Sequence, residues 1–448
     1  MRRVVITGVG AVSPHGLGAE AYWAAVLAGK SSTGTLTRFD PSAFAARVAG
    51  QVPAFKTQEF MPKAYRKAVR IMARDIELAV VAADFAVRDA KLATRGVLES
   101  SGEKILSDGF FKPDPTRVGC NIGAGMICAD LNELTAAMVV ARNDDGTLSL
   151  AKWGKSEDAT KPSGMESLTP LWLLKYLPNM LACHVSIIHD TQGPSNTITC
   201  AQASAGLALA EAARTIMRGN ADVALVGGCE SKVHPMGLMR WTKLDRLTTE
   251  HNADPERACR PMDEQASGSV LAEGGAVLVI ESLEHAQKRG AKILAEVAGM
   301  GATATGVGVR DTEPTGQAMA AAMNKALKDA HIGADAISMM VPPGFGMKAT
   351  DLAEAAAIKT IFGPRPVPVV PLRGGIGDCG AGVQALDLVG GVLALRDQGI
   401  PPAVNCPRPI AGLNVPAGKM NGPVDAVLIL ASALGGQNSA VILKRFVA

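Results

Sequence analysis

Covalent chemistry in this chain would have to come from its thiols and imidazoles, and one segment places a thiol suggestively. Gly193-Pro194-Ser195-Asn196-Thr197-Ile198-Thr199-Cys200-Ala201-Gln202-Ala203-Ser204-Ala205-Gly206 runs from a β-branched stretch into small residues that open a helix. A thiol at such a helix start meets the positive end of the helix dipole, which lowers its pKa and makes it a nucleophile. Cys200 is a candidate for that role. The helix itself, however, begins at Gln202, whose amide can neither ionise nor carry an acyl group. General bases are equally restricted. The seven histidines are His15, His184, His189, His234, His251, His285 and His331, so the last quarter of the chain has none. The eight cysteines are scattered with no CxxC pair, so neither a zinc site nor a redox motif is expected, and no metal or cofactor.

The elements that must position these residues alternate. Val4-Val5-Ile6 is expected to be a strand and Arg74 to Ala90 a helix, with Ile76, Val80, Ala83 and Val87 at helical spacing. The pattern predicts a strand over 196–199, with Cys200 on the strand before the elbow, then a helix through Arg214 and strands at 223–226 and 277–280. After Lys292 it begins again: strands at 293–298, 336–341 and 367–370, helices at 315–330, 351–361 and 381–398, and closing strands at 424–430 and 439–443. Short buried strands between Ala-rich helices predict α/β layering. Two similar halves, 1–258 and 259–448, joined near 255–292, are the natural division. The stretches 97–117 and 143–167 are polar and rich in Gly and Pro, and are expected to lie outside the core.

Composition narrows the function class. The 448 residues are 48% hydrophobic and 19% charged, with a net charge of +3. That is a well-buried chain, and too mildly basic to imply nucleic acid. No apolar stretch reaches the roughly 18 residues needed to span a bilayer, so no membrane insertion is expected and the cytoplasm is the default location.

The motifs together resemble the β-ketoacyl synthase family of fatty-acid and polyketide synthesis. The resemblance rests on Val4 to Pro14, Arg38-Phe39-Asp40-Pro41, Asn179 to Ser186 before Gly193-Pro194-Ser195, and Gly227-Gly228. It continues through Arg260-Pro261-Met262-Asp263, Glu273-Gly274-Gly275-Ala276, Asp351 with Glu354, Leu393 to Asp397, and Gly435-Gly436-Gln437-Asn438-Ser439. It implies a thiolase-like five-layered α-β-α-β-α fold of two similar halves. It also implies a cysteine nucleophile and two catalytic histidines. Gln202 lies eight residues after Pro194 and twelve before Arg214, which is where the family's nucleophile falls. The two histidine positions match Pro343 and Asp378, and the family's lysine matches Arg373. The phenylalanines expected before the C-terminal glycine loop, one of them a gate, are Ser432 and Leu434.

The resemblance therefore implies a scaffold whose catalytic set is replaced. Losing one oxyanion donor costs ~3–4 kcal/mol, so losing two implies decarboxylation slower by roughly 10⁴–10⁶-fold. The family member most similar in this respect is the chain-length factor, the partner of a catalytic ketosynthase. Alternatives are a malonyl-carrier decarboxylase, an acyltransferase using Cys200, or a homodimeric acyl-binding protein. Lys63, Arg66, Lys67 and Arg70 stand on a predicted helix with 63, 67 and 70 on one face. They are either a solvated surface or a dock for an acidic acyl carrier protein. The partners implied are thus a carrier protein and either a catalytic ketosynthase subunit or a second copy.

Overall fold

The computed structural model describes residues 1–156, 158 and 160–447. Nine strands carry the main sheet path: β1 (Val4–Ser13), β2 (Val118–Ala124), β3 (Ser195–Ile198), β4 (Val223–Ser231), β5 (Leu271–Ser282), β6 (Ala295–Ala304), β7 (Met339–Val341), β8 (Ala426–Ser432) and β9 (Gln437–Lys444). Their spatial order is β7-β8-β9-β6-β1-β5-β4-β2-β3. The path has a narrow waist, where β1 meets β6 through only Val5 with Glu296 and Ile6 with Ala295.

Outward from that waist the two sets repeat one topology. β1 pairs antiparallel with β5, β5 antiparallel with β4, and β4, β2 and β3 run parallel. β6 pairs antiparallel with β9, β9 antiparallel with β8, and β8 runs parallel to β7. The expected strand at 367–370 would complete the second set, but it forms only isolated parallel bridges, Met340 with Val369 and Pro368 with Asn414. Pro366, Pro368 and Pro371 lack the N–H that a ladder requires.

Six helices fill the layers: α1 (Arg74–Asp89), α2 (Met180–His189), α3 (Ser204–Met217), α4 (Gln317–Asp329), α5 (Lys348–Phe362) and α6 (Val383–Asp397). Strand alternation sends Val277 and Val279 into an outer core with Ile76, Val80 and Val87 of α1. Leu278 and Ile280 enter a central core with Leu209 of α3 and Leu386 and Val389 of α6. A third core packs Met323 of α4 and Ile358 of α5 on Leu428 and Ile442. Three helical layers around two strand layers give the thiolase-like five-layered fold. Helix α6 is buried from Val383 to Leu395, as a helix sandwiched between sheets must be. Among the described residues, no helix is long and apolar enough to cross a membrane.

The halves share one device. A Cβ on Gly8 or Gly10 of β1 would lie 2.5 or 2.1 Å from the carbonyl oxygens of Ala86 and Ala82 in α1. A Cβ on Gly299 or Gly301 of β6 would lie 2.3 or 2.1 Å from those of Ala326 and Ala322 in α4. In each half a carboxylate at the helix end accepts from the intervening strand N–H: Asp89 from Val9 and Asp329 from Met300, both at 2.9 Å. Only glycine allows helix backbone to approach strand backbone this closely.

Two surface expectations change. The 97–117 stretch is not wholly outside the core, since Val97 and Ile105 are buried in the α1 layer. Between 143 and 167, by contrast, no described residue joins an apolar core. Lys63–Ile71 is a 3₁₀ helix, not an α-helix. Side chains three apart eclipse in 3₁₀ geometry, so Lys63 stacks with Arg66 and Lys67 with Arg70, instead of 63, 67 and 70 sharing a face.

Between β2 and β5, Asp222 receives Arg2 at 2.7 Å and Arg117 at 2.9 Å. The hydrogen bond from Arg117, aided by Arg2, holds its carboxyl down to about 2. A depressed folded pKa contributes stability above the unfolded value near 4 that is lost as pH falls toward 2. Urea unfolding should therefore show Asp222→Asn losing ~1–2 kcal/mol at pH 6, after allowance for solvent screening, with the gap to wild type closing toward pH 2.5. A gap that is constant with pH would show that the pair contributes no linkage.

Candidate functional site

Topology brings two turns together. In the first half, β3 leads to α3; in the second, the 368–370 bridge segment leads to α6. Both helices lie in the central layer and touch: the Gly206 N–H donates to Gln384 Oε1 at 3.0 Å. A Cβ on Gly206 would fall 2.3 Å from that oxygen, which explains the small residues at the start of α3. The residues ahead of these two helices must therefore face each other.

The first turn is strained. β3 ends at Ile198, so Cys200 lies beyond the strand and not on it as expected; its N–H donates to Ser204 Oγ at 2.8 Å. Ala201 takes φ 46°, a left-handed value that costs a non-glycine residue ~1–2 kcal/mol. The kink puts Gln202 in a 3₁₀ turn (Ala201–Ala203), and α3 proper begins at Ser204. Gln202 is buried, and its Nε2 donates to Asp378 Oδ2 at 2.7 Å. Its Oε1 has no partner.

The second turn holds the acceptor. Asp378 is fixed by backbone bonds to Val270 and Ala272 on the β5 side, and its Oδ1 accepts from the Gly380 N–H at 3.0 Å. Arg373 approaches Oδ1 to 4.0 Å. Arg373 is 1% exposed, yet none of its guanidinium nitrogens has a hydrogen-bond partner. Its guanidinium carbon sits 4.9 Å from the centre of the Phe345 ring, a cation–π contact that partly offsets its desolvation. Burial pushes Asp387 of α6 up to about 7, although nearby Arg373 opposes the shift.

A second charged pair flanks this group. Lys232 donates to Glu230 Oε1 at 2.7 Å, and Glu230 Oε2 accepts from the Ala381 N–H at 2.7 Å. Burial works against the charge on Lys232, but Glu230 and Asp378 outweigh it and keep its pKa above the ordinary value. It is thus a cation and not a nucleophilic amine.

Phe345 is itself held firmly. The Gly344 N–H donates to Glu354 Oε2 at 2.7 Å, and the Phe345 N–H donates to Asp351 Oδ1 at 3.1 Å. Asp351 and Glu354 thus serve as structural hydrogen-bond acceptors. Pro343, buried just upstream, offers neither an N–H nor a titratable group. Ser432 and Leu434 line a cleft of about 40 Å³ with Arg246, Gly435 and Phe345. The cleft thus carries a phenylalanine, but from the 344–346 loop instead of from positions 432 or 434.

Chemically this arrangement is poor. Gln202 offers an amide already committed to Asp378. Cys200 is half-buried, and burial pushes its pKa up, the wrong direction for a nucleophile. Lys63, Arg66, Lys67 and Arg70 are exposed and make no ion pair among the described residues. Their segment is anchored by Tyr65, whose hydroxyl lies 2.8 Å from His184 Nδ1. Burial takes His184 down to about 4, so it is a neutral packed residue at physiological pH. No group of three or more His, Cys, Asp or Glu among the described residues could hold a metal ion. Phe345, Lys232, Glu230 and Asp387 escape a sequence reading. The available signals are a carboxylate just past Gly227-Gly228 and one inside an otherwise apolar helix.

Comparison with known proteins agrees with the architecture. The family model of the β-ketoacyl synthase N-terminal domain matches residues 1–286, and that of the C-terminal domain matches residues 294–407. A 3-oxoacyl-[acyl-carrier-protein] synthase 2 of Coxiella burnetii is 32% identical over 99% of both chains. The tetracenomycin polyketide synthase ketoacyl synthase beta subunit of Streptomyces glaucescens is 32% identical, covering 99% of this chain and 98% of its own. The solved ishigamide ketosynthase/chain length factor superposes with a TM-score of 0.81 at 26% identity, with all of both chains covered.

Proposed function

The chain belongs to the β-ketoacyl synthase family of fatty-acid and polyketide synthesis, and on that premise we propose that it is a chain-length-factor-type subunit. In this reading Gln202, Pro343 and Asp378 stand at the three catalytic positions and Arg373 at the lysine's. The chain does not condense; it pairs with a catalytic ketosynthase and helps shape the space in which an acyl chain grows. The observation that carries the reading is the 2.7 Å bond from Gln202 to Asp378: two side chains without nucleophilic or imidazole function bond each other at the turn where reaction would occur.

Two further features support a partnered role. Among the described residues, eleven of nineteen exposed large apolar side chains fall between Met126 and Ile187, among them Val139, Leu150, Leu171 and Leu173. Such exposure is typical of a surface that another chain covers. The similar proteins include a ketoacyl synthase beta subunit and a chain of a ketosynthase/chain length factor structure. Lys63, Arg66, Lys67 and Arg70 suit an acidic acyl carrier protein, here or shared with the partner subunit. Acyl transfer through Cys200 is the weaker reading, because its raised pKa leaves little thiolate. A cytoplasmic location is part of the same proposal.

Co-expression with a tagged catalytic ketosynthase tests it. The expected result is a stoichiometric heteromeric complex that survives gel filtration. Recovery only as a homodimer, with no ketosynthase retained, would overturn the pairing and favour a homodimeric acyl-binding protein.

A further inference from the structure

We propose that Phe345 is a stopper that closes the Gln202 turn to ligands, so that in this chain the way in is blocked as well as the chemistry absent. The proposal rests on reading Gln202 as the former nucleophile position, but it concerns access and not catalysis.

The geometry forms one continuous line. The small cleft beside Ser432 and Leu434 reaches inward as far as Phe345. The ring of Phe345 lies over Arg373, Arg373 approaches Asp378, and Asp378 holds Gln202. Phe345, Arg373, Asp378 and Gln202 are each 2% exposed or less. Outside the ring there is room for only a few waters; behind it lie polar atoms with no protein partner, including three guanidinium nitrogens and Gln202 Oε1. A buried group of polar side chains, unexposed to solvent and capped on the cleft side by an aromatic ring, is closed to ligands.

The stopper is also fixed in place. Gly344 and Gly346 take φ +59° and +71°, values that few other residues tolerate. A Cβ on Gly344 would press on Pro261 and Pro371 at 3.0 and 3.1 Å. The carboxylates of Asp351 and Glu354 hold the loop's N–H groups. The backbone that carries the ring is thus fixed, and the ring itself is 2% exposed, unlike a gate on a mobile loop. Arg373 gains from it too: the ring face replaces water against an otherwise unpaired cation.

The test is a labelling experiment that needs no turnover. Gln202→Cys introduces a thiol at the turn, and Cys200, two residues away and half-exposed, serves as an internal reference in the same peptide. Iodoacetamide labelling is followed by peptide mass spectrometry. With Phe345 intact, the introduced thiol should react at least about tenfold more slowly than Cys200, since it is reached only by local opening. Adding Phe345→Ala should raise its rate about tenfold or more with Cys200 unchanged, while Phe345→Leu, which keeps the bulk and loses the ring, should leave it slow. Should the alanine variant not fold, Phe345→Val takes its place. An introduced thiol that reacts as fast as Cys200 behind an intact Phe345 overturns the proposal, as does a rate indifferent to the side chain at 345. Either result leaves the proposed pairing with a ketosynthase untouched, because that is decided by complex formation.

Discussion

Gln202→Cys is expected to restore no condensation. The substituted chain, supplied with acyl and malonyl carrier proteins, should turn over at a rate roughly 10⁴–10⁶-fold below a catalytic ketosynthase. A thiol is necessary for acyl transfer, but three physical obstacles remain. Asp378 would lie beside the new sulfur, and a carboxylate there disfavours the thiolate. The same carboxylate would repel the enolate formed by decarboxylation, where a neutral or cationic donor is needed. In the proposed reading Pro343 stands at a donor position, and it has no donor to offer. Each missing donor is worth ~3–4 kcal/mol, and the thiol supplies neither. Product formation from radiolabelled malonyl carrier protein is the readout. Turnover within about tenfold of a catalytic ketosynthase would show that the buried polar group is still a working site, and the reading of a retired one would fall.

The comparison of sequence with structure turns on distance along the chain. Whatever is periodic or local was legible. α1 follows from apolar spacing at Ile76, Val80 and Val87, and the strand-to-helix turn near Gln202 follows from a β-branched run meeting small residues. Pairings across the chain were not. Gln202 and Asp378 are 176 residues apart, and nothing in either segment announces the other. They meet because α3 and α6 occupy equivalent places in two copies of one topology. That duplication had a signal, in hindsight a readable one: Gly8-Val9-Gly10 and Gly299-Met300-Gly301 each sit mid-strand and pack on a helix that ends in aspartate. Overall identity between the halves is too low to show it, because only the close helix–strand approach constrains residue type. The 3₁₀ form of Lys63–Ile71 was illegible for a different reason. Over two or three turns, charge spacing fits either helix, and the choice falls to packing.

Glu273→Ala should be among the most damaging single changes in the molecule, costing ~3–5 kcal/mol, because removing one partner of a buried ion pair strands the others. Glu273 of β5 is fully buried. One oxygen accepts from Arg38 and from the Val52 N–H at 3.1 Å, and the other from Arg74 Nε and Ser231 Oγ, both at 3.1 Å. One carboxylate thus ties the Arg38-Phe39-Asp40-Pro41 loop, the segment before the first 3₁₀ turns, the first residue of α1 and the end of β4. Arg74 is the more committed cation, since it also stacks 4.3 Å from the Phe55 ring centre and bonds Glu77. Without Glu273 it keeps a desolvated charge with only a partly exposed partner. The same carboxylate lines a cleft of about 450 Å³ with Asp75, Glu133 and Tyr176, so its loss should also loosen that wall. Urea unfolding supplies the measurement, and a double-mutant cycle supplies the discrimination. If the loss comes from a stranded charge, Arg74→Met combined with Glu273→Met should recover at least ~1 kcal/mol relative to the sum of the two single changes, because apolar replacement of both partners avoids the unpaired ion. Strict additivity, or a cost for Glu273→Ala below ~1 kcal/mol, would mean that water replaces the carboxylate and that the four segments are held by their apolar contacts alone.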